Sequence, residues 1–120
     1  MTDRRFTFWY YTVSHSMALL RSVGRDGDEN IDLVFWAVSY IEIPTDINGI
    51  EIRKPTGEDI EYISRRTGDA DKEITVLVQG GRKYYIVSAG MKVVRNHLDF
   101  FELPFDIAGD MGGKYYRPED

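Results

Sequence analysis

Cysteine is absent from the 120 residues of this chain. That removes a disulfide framework, a thiolate metal site and a cysteine nucleophile at once, so stability has to come from packing. No apolar run approaches the ~18 residues that a membrane-spanning helix requires, and no membrane partner is expected. The opening residues Met1-Thr2-Asp3-Arg4-Arg5 lead straight into alternating aromatic sequence. They contain neither an uninterrupted apolar core nor a small-residue cleavage site, which argues against a signal peptide and makes a cytoplasmic location the expectation. Basic stripes are missing too: the longest basic runs are pairs such as Arg4-Arg5, Arg65-Arg66 and Arg82-Lys83. With a formal net charge of −5, the surface repels phosphate backbones, and nucleic acid is not an expected partner.

Catalytic patterns are equally scarce. Histidine occurs twice, as His15 and His97, so any imidazole base would have to be one of these. His15 is flanked by Ser14 and Ser16, and His97 has only Asp99 nearby; neither spacing is that of a metal site. No Gly-x-Ser-x-Gly elbow is present to turn a serine into a nucleophile. Asp26-x-Asp28-x-Asn30 begins like a calcium loop, but Ile31 stands where the turn needs glycine and Ala37 where the last ligand should be glutamate. Gly109 to Tyr115 resembles a phosphate loop one residue short, with tyrosine in place of the serine or threonine. No metal or cofactor is therefore expected.

What the chain does have is aromatic and β-branched sequence. Aromatics make up 13% and hydrophobic residues 42%, and they fall in runs that suit a pleated, half-buried surface. Phe6 to Ser14 alternates with apolar character on both faces, placing Phe6, Phe8 and Tyr10 on one side and Thr7, Trp9 and Tyr11 on the other. Met17 to Val23, Leu33 to Ile43, the Ile50/Ile52 segment, Met91 to Arg95 and the stretch around Phe100 to Leu103 read as further strands. Gly80-Gly81 between Ile74–Gln79 and Arg82–Val87 predicts a two-residue hairpin that pairs Leu77 with Tyr84 and Val76 with Tyr85.

One short α-helix, about residues 57–66, is bounded by a Thr56-x-x-Asp59 capping box and by Gly68. Ile60 and Ile63 would share its buried face. The resulting expectation is a mainly β single domain over residues 1–120, a small sandwich or partly open barrel of antiparallel strands, with residues 109–120 as a loosely held tail.

Two segments repeat a pattern. Tyr10–Met17 aligns with Tyr84–Met91, carrying Arg21 onto Arg95, and Glu42–Gly49 aligns with Glu102–Gly109. Duplication of a supersecondary unit is one reading, and two strand pairs built from the same favoured residues is the other. The aligned Arg21 and Arg95 are candidate partners of Glu42 and Glu102.

The functional expectation is a non-catalytic binding domain acting on another protein, inhibitor-like or immunity-protein-like, whose acidic surface suits a basic partner. The candidate binding residues are Tyr10, Tyr11, His15, Tyr84, Tyr85 and His97, since an exposed tyrosine offers an apolar body and a hydroxyl at low entropic cost. The alternative is a small-molecule-binding β barrel or an enzyme using His15 or His97.

Overall fold

The computed structural model describes residues 1–68 and 72–105. Among these residues nine strands and one helix follow one another as β1 (Arg5–Thr12), β2 (Met17–Ser22), β3 (Asn30–Trp36), β4 (Tyr40–Glu42), β5 (Asp46–Asn48), β6 (Glu51–Arg53), α1 (Gly57–Thr67), β7 (Glu73–Gln79), β8 (Arg82–Ser88) and β9 (Gly90–Asn96). They form two antiparallel sheets, ordered β5-β1-β2-β3-β9 and β4-β8-β7-β6. The inner faces of both sheets supply one core, in which Phe6, Leu20, Leu33, Phe35, Leu77 and Ile86 are almost wholly buried. Burial of each such side chain contributes about 1.5–3 kcal/mol, so this packed interior holds the two sheets together.

The predicted hairpin is present, with Leu77 opposite Tyr84 and Val76 opposite Tyr85. Gly80 and Gly81 have φ of 52° and 87°, the pair of positive values that lets a two-residue turn follow the twist of its strands. The helix also matches its sequence signals. The Thr56 hydroxyl accepts from the Asp59 N–H while the Asp59 carboxylate accepts from the Thr56 N–H, and Gly68 ends the helix in the left-handed region.

Its buried face differs from the expectation. Ile63 is 1% exposed, but Ile60 stands 45% exposed, and the place beside Ile63 belongs to Asp59, which is 3% exposed. A buried carboxylate is tolerated there because Tyr85, Lys83 and Thr56 all donate to it.

The long apolar run from Leu33 to Ile43 is not one strand. It breaks at Ala37, whose φ is 49°, and the chain leaves the five-stranded sheet at Trp36 to enter the four-stranded one at Tyr40. A second crossing, from β8 to β9, runs alongside, joined by the Ala89 N–H to the Trp36 carbonyl at 3.0 Å. Gly90 is required at this corner: a Cβ there would lie 2.2 Å from Cζ2 of Trp36.

This geometry also separates the two aligned segments. Tyr10–Met17 joins strands paired within one sheet, whereas Tyr84–Met91 passes from one sheet to the other. Similar residues thus serve different connections, while the second aligned pair extends into residues 106–109, outside the described residues. So do the predicted tail at 109–120 and the phosphate-loop-like run within it.

Candidate functional site

β2 and β3 lie in the middle of the five-stranded sheet, and their register puts Arg21 opposite Asp32. Both side chains point to the outer face, alternating with the core residues Leu20 and Leu33, and both are at most 1% exposed. Arg21 Nε donates to Asp32 Oδ1 at 2.7 Å and Nη2 to Oδ2 at 2.9 Å. Two buried charges need every lone pair and proton used, and the end of β9 and the segment after it supply what is missing. Arg21 also donates to the carbonyls of Asp99 and Glu102, and Asn96 donates to Asp32 Oδ2 at 2.8 Å. The pairing of Arg21 and Arg95 with Glu42 and Glu102 anticipated from the aligned segments is therefore corrected at Arg21: its bidentate carboxylate partner is Asp32, and it reaches Glu102 at the backbone carbonyl.

The arginine clamp fixes how residues 97–105 cross the sheet. Asp99 Oδ1 accepts from the N–H groups of Phe101 and Glu102 at 2.9 and 3.1 Å, an aspartate turn where a strand was expected from Phe100 to Leu103. Because the chain turns here, two adjacent phenylalanines project outward. Phe100 is 66% and Phe101 86% exposed. Their rings lie edge-to-face at 5.1 Å, and Phe100 meets Trp9 in the same manner at 4.9 Å. Trp9 reaches this face because the β1–β2 register shifts between Phe8 and Tyr10, a bulge that sends both Trp9 and Tyr10 outward. The strict alternation predicted for β1 had placed them on opposite faces. Val23 adds a further apolar surface, 53% exposed.

A shallow cleft of about 290 Å³ lies at the foot of this aromatic group, lined by Trp9, Arg21, Val23, His97, Asp99 and Phe100. It shares Arg21, Val23 and Asp28 with a neighbouring cleft bordered by Arg4, Arg5 and Arg25. Arg4 is held by Ser22 and by the Glu29 carbonyl. Arg5 pairs with Asp46 at 3.1 Å, and a hydrogen bond from Thr7, together with Arg5, holds the Asp46 carboxyl below the usual range.

The sequence-predicted binding residues are dispersed. Tyr10 packs on the outer face of the five-stranded sheet, its ring 6.1 Å from Phe105. Tyr11 is 40% exposed. Tyr84 is half-buried against the inter-sheet core. Tyr85, 6% exposed, lies on the opposite face of its sheet beneath the helix, so it is a structural residue and not a surface contact. His15 sits in the β1–β2 turn with Nδ1 2.9 Å from the Ser14 hydroxyl, and His97 is exposed with Nε2 3.2 Å from the Gly27 carbonyl. The two histidines occupy opposite ends of β2. Of the six residues, only His97 and the outward-facing Tyr10 belong to the sheet face that carries the aromatic group.

Tyr85 is part of a polar network that joins α1 to β4 and β8. Its hydroxyl donates to Asp59 Oδ1 at 2.8 Å, and Lys83 donates to the same oxygen at 3.0 Å. Burial would push the Asp59 carboxyl up, but the donors from Thr56, Lys83 and Tyr85 outweigh it and bring the pKa to about 2. Burial, and then the Asp59 contact, push the Tyr85 hydroxyl up. Nearby, Tyr40 and Tyr62 both donate to Glu42, which raises both phenols, and the Arg66 guanidinium lies 4.0 Å over the Tyr62 ring. Each member has a partner, as a network that fixes a helix on a sheet requires.

Among the described residues no group of three or more His, Cys, Asp or Glu is arranged to hold a metal ion. Asn30, the third oxygen of the calcium-like loop, accepts from the Gly24 N–H and donates to Asn96 and Leu98, closing the β2–β3 connection.

The aromatic face carried two sequence signals that were missed. Arg21 and Asp32 are single charges inside apolar central strands, a pattern that asks for a buried pair, and Asp99 directly precedes two phenylalanines. Comparison with known protein families, with curated proteins and with solved structures finds no match to this chain.

Proposed function

We propose that this chain is a non-catalytic binding domain that docks a protein partner on the face formed by Phe100, Phe101, Trp9 and Val23. The observation that carries this reading is the exposure of two adjacent phenylalanines, 66% and 86%. Aromatic side chains are enriched at the core of protein interfaces, and covering each phenylalanine would contribute about 1.5–3 kcal/mol. The clamp from Arg21 to residues 99 and 102 holds the segment before any partner arrives, which lowers the ordering cost of association. The net charge of −5 favours a partner with a basic surface through long-range attraction, as an inhibitor or immunity protein of a basic enzyme would use it.

The test is capture of partners by the intact chain and by a Phe100→Ser, Phe101→Ser variant, after both are shown to melt at similar temperatures. A specific protein partner should bind the intact chain, weaken as salt rises, and lose about tenfold or more in affinity with the variant. Equal capture by both proteins would overturn the assignment of this face.

A further inference from the structure

Among the described residues the two sheets do not close into a continuous barrel. Among the described residues β9 pairs only with β3, and β6 only with β7. β6 covers β7 from Val76 to Val78, leaving Ile74 and Thr75 without a strand on that side. Register shows what the gap exposes. Met91 lies opposite Phe35 and Val93 opposite Leu33, so both point to the core side of their sheet, yet Met91 is only half-buried and Val93 is 41% exposed. Core-facing positions remain open to solvent because the four-stranded sheet stops short of β9.

Helix α1 forms one wall of the gap. Asp59 and Ile63 face the sheet, which turns Ile60 and Ser64, four residues apart on the helix, toward the opening. The resulting groove has a volume of about 780 Å³ and is floored by Ile52, Ile74 and Met91, with Ile60 at its edge. Its charged rim consists of Arg53, Lys54, Lys72 and Glu73. Arg53 is paired with Glu51 at 2.7 Å, and Lys72 donates to the Ala37 carbonyl at 3.0 Å. Lys54 carries no ion pair among the described residues. Three cations against one acid form a locally basic rim in a chain of net charge −5.

We propose that this groove binds a small amphipathic monocarboxylate, its apolar body on Ile52, Ile60 and Met91 and its carboxylate at Lys54. The volume lies in the ordinary range for small-molecule sites, and an apolar floor with one convergent charged group is how such sites orient a ligand. The site is separate from the aromatic face, which lies on the outer side of the other sheet.

Dodecanoate, titrated calorimetrically below its micellar concentration into the full chain, is the probe, with dodecanol as the uncharged comparison. Saturable binding at one site is expected. Both Lys54→Glu and Ile60→Ser should weaken it by about tenfold or more, whereas Arg25→Glu, a charge change away from the groove, should leave it unchanged. Lys54 and Ile60 are exposed, so a melting temperature near that of the parent is expected and would be verified for each variant. Absence of saturable binding to the parent chain, dodecanol binding as tightly as dodecanoate, or parental affinity in both groove variants would each overturn the proposal. Equal weakening by Arg25→Glu and Lys54→Glu would also overturn it, since attraction would then be diffuse.

Discussion

Asp59 shows how one residue carries two roles that its sequence position only half reveals. As the third residue of the helix it completes the capping box with Thr56, a role legible from the Thr-x-x-Asp spacing. Its second role depends on Lys83 and Tyr85, more than twenty residues away, and no local pattern announces it. The pKa of about 2 lies below the ordinary aspartate value of about 3.9. The ionised carboxylate therefore contributes stability that is fully present above pH ~4 and is lost as pH falls through ~2, amounting to on the order of 2 kcal/mol. In Asp59→Asn this contribution is missing at neutral pH. The stability gap between parent and variant, measured from denaturant midpoints, should shrink as pH is lowered from ~4 to ~2. A gap constant across that window would show that the carboxylate charge is not what the network stabilises.

At the scale of elements, turns with a strict backbone demand were readable and changes of sheet were not. The hairpin was legible because two adjacent glycines satisfy a conformation that few residues adopt, and the alternation on either side then fixed the register of Leu77 and Tyr84. The helix was legible from both of its ends. The Leu33–Ile43 run hid its break because Ala37 is not a residue that signals positive φ, and the run is equally apolar before and after it. The Trp9 bulge was hidden for a related reason: a shift of one residue in aromatic sequence leaves both faces apolar.

The hairpin gives a direct measurement. A Cβ at Gly80 would meet nothing within 4 Å, so only the backbone conformation limits substitution. Gly80→Asn should cost far less stability than Gly80→Val, because asparagine tolerates the left-handed region and a β-branched side chain does not. Similar denaturant midpoints for the two variants would contradict the turn geometry.

For the molecule as a whole, the choice between a binding domain and an enzyme turns on the histidines. They were the only imidazoles the sequence offered, and the fold places His15 at the β1–β2 turn and His97 beyond the far end of β2, against Gly27. His15 Nδ1 lies against the Ser14 hydroxyl and His97 Nε2 against the Gly27 carbonyl. A positioned general acid or base contributes typically a hundredfold or more to a rate, whereas a histidine at the margin of an interface contributes little. The double variant His15→Gln, His97→Gln, once shown to fold, should therefore retain partner binding within a few-fold of the parent, while Phe100→Ser, Phe101→Ser loses it. Tyr11→Ala serves as the control for a merely exposed aromatic, because Tyr11 is exposed outside the Phe100–Trp9 group, and it should leave binding unchanged. A folded double-histidine variant that loses function, beside a phenylalanine variant that keeps it, would replace the binding domain with an enzyme that uses one of these two imidazoles.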